Sequence, residues 1–230
     1  RSVEREMNNV LVEMAEMAIE DGITHVVGTP HASAQFPFDP EAVRQRRDEL
    51  QAILGDRLKL ATGCDFHLSF ENLQEVQKDS ARFTINQKNY LLVEFADFAI
   101  PPGIDDELHR LQLYGLSVII THPERNSLIR VKQERLRRWL HQGCYIQVTA
   151  QSLLGRWGES AQKTVEDWLD RDMVHFFASD AHNTTKRPLQ LSPAYKLVAA
   201  RCGDDKAKAL FHDNPLAAFE GRALPYEPEQ

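Results

Sequence analysis

Cysteine is scarce: Cys64, Cys144 and Cys202 are the only three in 230 residues. An odd, scattered set fits neither a disulfide framework nor a Cys-x-x-Cys metal knuckle, and it suits a reducing cytoplasm. No apolar run approaches the roughly 18 residues of a membrane-spanning helix, and no secretory signal pattern opens the chain. Positive charge is also short. Lys plus Arg is 27 against 34 Asp plus Glu, a net charge of −7, which argues against a nonspecific polyanion binder and leaves nucleic acid outside the expected partners. A Gly-rich Walker loop and a Gly-x-Ser-x-Gly elbow are both absent. Thiol-based phosphate chemistry needs an arginine six positions after a cysteine, and those positions hold Phe70, Ala150 and Lys208.

What is present is an alternation of short apolar strand patterns with amphipathic helices. The clearest strand is 117–120, where Val118, Ile119 and Ile120 run into Thr121-His122-Pro123-Glu124-Arg125-Asn126. Further strands are expected at 23–28, 58–63, 90–94, 144–148 and 173–178, six in all. Helices are expected over 2–21 (Ser2 as N-cap, Val3 and the Met7, Met14, Met17 stripe packed), 40–54 (Asp39 as N-cap), 104–114, 128–141 and 158–171. Residues 71–88 read as one short helix and a loop. Ser192 with Pro193 starts another helix that Gly203 stops, and Asp204 and Asn214-Pro215 cap two short closing helices. This order predicts one α/β barrel domain over 1–224, with a disordered tail over 225–230.

Polar residues collect where these strands end. His31, Asp65, Glu94, His122, Asp180 and His182 each follow or close an apolar strand, the position that feeds a single site at one face of an α/β barrel. Imidazoles and carboxylates without thiolates suit divalent manganese, iron or zinc, and paired ions serve phosphate ester hydrolysis. Arg125 and Arg187 are placed to grip phosphate oxygens with their planar forks. Taken singly, each residue has a bland account: a loop or core histidine, a capping aspartate, a surface ion pair. Six coincidences outweigh that account. His67 shares a face with Asp65 if the chain is extended, and its role stays open. His25, His109, His141, His175 and His212 lie inside strand or helix patterns and read as structural or surface residues, and Trp139, Trp157 and Trp168 as helix packing.

Gly28-Thr29-Pro30-His31, Gly63-Cys64-Asp65-Phe66-His67, Leu91-Leu92-Val93-Glu94-Phe95, Thr121 to Asn126, Ser179-Asp180-Ala181-His182-Asn183 with Arg187-Pro188, and Asn214-Pro215 together resemble the bacterial capsule-associated tyrosine phosphatases of the polymerase and histidinol phosphatase (PHP) superfamily. The resemblance spans nearly the whole chain. It implies a distorted seven-stranded α/β barrel, up to three divalent ions, commonly manganese, and hydrolysis of phosphotyrosine on a bacterial tyrosine autokinase of exopolysaccharide export. It also implies that the six strand-end residues are metal ligands and that Arg125 and Arg187 hold the phosphate. Asp65 stands where other branches carry glutamate. The family's opening strand, with a His-x-His pair and an Asp-Asp-Gly loop, has no counterpart here, and the sequence begins at Arg1 without a methionine. The expectation is therefore an absent first strand, two imidazole ligands fewer and an open sheet edge. A PHP phosphoesterase acting on a small molecule such as histidinol phosphate, and a silent metal-binding regulatory module, are the competing readings. A PHP nuclease fits the acidic balance poorly.

Overall fold

The computed structural model describes residues 2–228, with side chains from Glu6 onward. All its strand pairs are parallel. β1 (His25–Gly28) pairs with β3 (Lys59–Thr62), and a second sheet has the order β2 (His31–Ala32), β4 (Asp65–His67), β5 (Tyr90–Glu94), β6 (Ser117–Thr121), β7 (Tyr145–Thr149), β8 (Phe176–Ala178). Eight strands still make six passages of the chain. β1 and β2 are one passage interrupted at Thr29-Pro30, since Pro30 has no N–H to give to a ladder; β3 and β4 are its partner. Backbone bonds cross the interruption, from Gly63 N to the Gly28 carbonyl and from Asp65 N to the Pro30 carbonyl, both 2.9 Å. Among the described residues no ladder joins β8 to β1 or β2.

Both faces of the sheet are buried, as parallel strands require. Leu91, Val93, Val118, Ile120, Ile146, Val148 and Phe177 pack in the main core with Leu108 and Leu111 of α4 (Ile104–Leu113), Trp139 of α6 (Gln133–His141) and Trp168 of α8 (Glu159–Asp170). The alternate residues Tyr90, Leu92, Ile119 and Phe176 form a second cluster with Ala217 and Ala218 of α11 (Asn214–Glu220). Trp139 and Trp168 are fully buried in helices, as expected.

Several details differ from the sequence expectation. The helix expected at 128–141 is two, α5 (Ser127–Val131) and α6, because Lys132 leaves helical geometry at ψ 53°. Residues 71–88 contain α3 (Phe70–Lys78), capped by Ser69. In α1 (Ser2–Glu20) Met7 is exposed while Ala15 and Ala18 are buried, so the methionine stripe packs only towards the helix's end; the Ser2 and Val3 side chains lie outside the described residues. Asp39 caps α2 (Pro40–Leu54) as expected, accepting from Glu41 N and Ala42 N. Ser192 begins α9 (Ser192–Cys202) without capping it: Asp21 does so from across the fold, accepting from Leu191 N at 2.7 Å and Ser192 N at 3.0 Å. Gly203, not Asp204, precedes α10 (Asp204–Lys208), and a π-helical stretch Ala209–Asp213 joins α10 to α11. Asn214 therefore caps nothing. Its amide donates to the His175 and Tyr226 carbonyls (3.0 and 2.8 Å) and accepts from Tyr226 N (3.0 Å), so residues 225–228 are tied to the strand β8 rather than loose.

Candidate metal and phosphate site

Register brings the donors together. His31 pairs with Asp65, Asp65 with Leu92 and His67 with Glu94, so all four polar residues share the face that carries Leu92. Glu94 lies at the centre. Its Oε2 is 2.9 Å from His31 Nδ1 and 2.6 Å from His67 Nε2, while Oε1 is 3.3 Å from His122 Nε2. Two groups of donor atoms, His31-His67-Glu94 and Asp65-Glu94-His122, each lie within 4.8 Å of one another. His67, left open by the sequence, belongs to the first; the signal was its two-residue spacing from Asp65.

His122 follows Thr121, and a continuing strand would turn it to the opposite face. Instead its φ of 35° breaks the strand and returns the imidazole to Glu94. Asp180, after β8, has φ 47°, the same left-handed geometry at a second functional position. Its Oδ2 accepts from Arg125 Nη1 at 2.6 Å and from Arg187 Nη2, so two guanidiniums converge on one oxygen. His182 Nδ1 lies 2.9 Å from the Asp180 carbonyl, and its ring is 6.4 Å from that of His31. His182 and Asp180 thus border the two donor groups without being part of either.

The polar residues of the 121–126 segment divide the remaining work. Glu124 is fully buried and its Oε1 accepts from Thr149 N and Ser152 Oγ, both 2.8 Å, which pins the turn to the end of β7 and to α7 (Ala150–Leu153). Asn126 donates to the Ala96 and Ala99 carbonyls and accepts from Leu128 N and Ile129 N, holding the loop after β5 and capping α5. Trp157 is the main correction to the sequence expectation: it lies between α7 and α8, not in a helix, with Arg125 Cζ 3.8 Å and Arg187 Cζ 5.3 Å from its ring centre. Sequence patterns carry no sign of Glu124 or Trp157, because both act on partners distant in the chain.

Charge in the site is frustrated in the way that a cation relieves. Burial first, then the neighbouring Glu94 carboxylate, pushes Asp65 up to about 7. Burial opposes ionisation of Glu94 as well, but hydrogen bonds with His122 and His67 outweigh it and hold that carboxyl below the usual range. The bond to Glu94 raises His67, and it raises His122 against the opposing effect of burial. Burial raises Glu124. The remaining histidines are elsewhere: His175 is buried in the sheet, His25 packs edge-on against Phe219 at 5.0 Å, and His109, His141 and His212 are exposed.

A family model described as capsular polysaccharide synthesis, CpsB/CapC, matches residues 4–220. The chain belongs to the CpsB/CapC family. Within that family, a CapC protein of Staphylococcus aureus is 31% identical over 215 residues, covering 92% of this chain and 78% of that protein. The tyrosine-protein phosphatase CpsB of Streptococcus pneumoniae is 29% identical over 203 residues, 84% of this chain and 83% of that protein. A solved CpsB/CapC structure, from work describing YwqE of Bacillus subtilis and CpsB of Streptococcus pneumoniae as metal-dependent tyrosine phosphatases, superposes with a TM-score of 0.86 at 27% identity, covering 97% of this chain and 92% of that one. The fold is accordingly the PHP-type α/β barrel. No helix among the described residues is long and apolar enough to cross a membrane.

Proposed function

We propose that this chain is a metal-dependent protein tyrosine phosphatase acting on a bacterial tyrosine autokinase that controls capsule or exopolysaccharide synthesis, in the cytoplasm. The observation that carries the reading is the meeting of two donor groups around Glu94 with two arginines that already converge on one carboxylate oxygen. His31, Asp65, His67, Glu94 and His122 would hold divalent ions, manganese by family resemblance and up to three, with Asp180 and His182 at the border completing the set. The donor chemistry fits such ions: oxygen and imidazole nitrogen only, with buried carboxylates repelling one another. Ions held there supply Lewis acidity, generating a nucleophile from water at neutral pH and offsetting charge on phosphoryl oxygens.

The chain's own groups do the rest. Arg125 and Arg187 would each present paired N–H donors to the non-bridging oxygens, with Asp180 standing in for that oxyanion in the present structure. Asp65, His67 and His122 shed their protons before they ligate. An aryl phosphate suits this machinery, since a phenol with a pKa near ~10 leaves more readily than an alkyl alcohol.

A protein substrate is favoured over a small one by the openness of the site. The His31 and His67 side chains are 38% and 34% exposed, and Phe36, Phe70 and Phe98, in the segments that follow β2, β4 and β5, stand in solvent around it. The test compares kcat/KM for a phosphotyrosine peptide and for histidinol phosphate, with manganese and with chelator. It is run on this chain and on one extended by the amino-terminal His-x-His strand that the resemblance implies. We expect the peptide to be preferred by at least about tenfold, a modest difference in transition-state binding. Preference for histidinol phosphate would favour the small-molecule reading, and no release from either form would favour a silent metal-binding module.

A further inference from the structure

We infer that Trp157 is a positioning residue that holds the two phosphate-binding guanidiniums at a fixed separation and pitch. The inference rests on Arg125 and Arg187 being the phosphate pair, and it explains what the end of β7 is for. Every other strand from β4 to β8 ends at or close to a residue of the donor cluster or its border; β7 ends in Thr149-Ala150, which offers none. Instead the ten residues from Thr149 to Gly158 brace both arginine-bearing segments. Thr149 N and Ser152 Oγ hold Glu124, next to Arg125 in sequence. Gln151 Nε2 donates to the Lys186 carbonyl at 3.0 Å, next to Arg187. Trp157 then reaches both guanidiniums at once.

The loop that delivers the indole is itself fixed. Gly155 and Gly158 on either side of Arg156-Trp157 have φ of 81° and 94°, which ends α7 and starts α8 in geometry that a side chain disfavours. Arg156 N bonds the Gln151 carbonyl at 3.0 Å, and a Cβ on Gly155 would lie 3.1 Å from Gln162 Oε1. A guanidinium stacked on an indole keeps its N–H edge in the plane of the contact, free for an oxyanion, while its face is covered. Arg125 needs such a constraint. Its side chain is only 10% exposed, its Nε is buried without a partner, and Asp97 lies 3.9 Å away as a competing carboxylate. Without the indole, each guanidinium would be free to settle on its nearest carboxylate in a geometry unsuited to phosphate.

The experiment measures inorganic phosphate binding to the manganese-loaded protein by calorimetry, with manganese affinity and peptide kinetics beside it, for Trp157→Ala, Trp157→Phe and Trp157→Leu. We expect Trp157→Ala to weaken phosphate about tenfold, the worth of a desolvated cation–π contact. KM for the phosphotyrosine peptide should rise by a similar factor, kcat should change less, and manganese affinity should hold within about twofold. Phe, which keeps an aromatic face, should recover most of the loss, and Leu, which keeps only bulk, should not. If the alanine variant does not fold, the contrast between Phe and Leu decides. Unchanged phosphate affinity in the alanine variant, or equal recovery by Leu and Phe, would overturn the inference. Since phosphate binding is read directly, the clamp can fail while peptide hydrolysis persists, and it can stand if another ester proves to be the substrate.

Discussion

Glu94 is shared by both donor groups, touching His31 and His67 with one oxygen and His122 with the other. Loss of a ligand common to two positions costs more than loss of an outer-shell partner, for which 10- to 100-fold is usual. Glu94→Gln should therefore lower manganese affinity by at least about 100-fold, measured by calorimetry. Acid should act on the same residues. Asp65 is pushed up to about 7 by burial and Glu94, and His67 and His122 are raised, so in the metal-free protein these sites hold protons near neutrality that a cation must displace. Manganese affinity is expected to fall as pH drops below about 7, with proton release visible as a dependence of binding heat on buffer. Binding heats identical in all buffers at pH 6.5 would argue against this. His175 behaves oppositely. Its Nδ1 accepts from Ile146 N at 3.1 Å, which requires the neutral ring, and burial depresses it to about 4. Because the folded value lies below the unfolded one, stability from this group is full above about pH 6.5 and drains away as pH falls towards 4. From pH 7 to pH 5 that amounts to about 2 kcal/mol, and urea denaturation of His175→Gln should show a pH dependence smaller by that amount. At this scale the sequence made six ligand candidates and both arginines visible, because each stands at the end of an apolar run. Glu124 and Trp157 stayed hidden: a lone buried glutamate and a tryptophan between glycines carry no local pattern.

Among the elements, strands β5 and β6 were legible to within a residue, because runs of β-branched and leucine side chains bounded by polar clusters admit no other reading. The break within the first passage was written in Pro30, yet the amino-acid order could not say that hydrogen bonding resumes beyond it. Capping by distant residues was not legible either. Asp21 follows α1 in sequence and reads as a helix end, while its carboxylate serves α9, accepting from Leu191 N, Ser192 N and Ser192 Oγ. Removing it orphans two backbone donors at one helix start. Asp21→Ala should cost about 1–2 kcal/mol of stability, as for other caps, read from chemical denaturation. A change below about 0.3 kcal/mol would mean that water replaces the carboxylate there.

For the whole molecule, consecutive parallel strands place every strand end on one face, so donors scattered from His31 to His182 along the chain meet in space. The opposite face is devoted to closure, with α11 and the Tyr226 segment tied through Asn214 to β8. The central claim is that the cluster around Glu94 and the arginine pair form one metal-dependent site for phosphotyrosine. Its most direct test is phosphate release from a phosphotyrosine peptide by chelator-treated protein as manganese is added back, with metal occupancy followed in the same samples. The account predicts no release without metal and a rate that rises in step with occupancy, absent in Glu94→Gln. Release at the same rate in chelator and in manganese, or full occupancy without release from this chain and from its amino-terminally extended form, would contradict it.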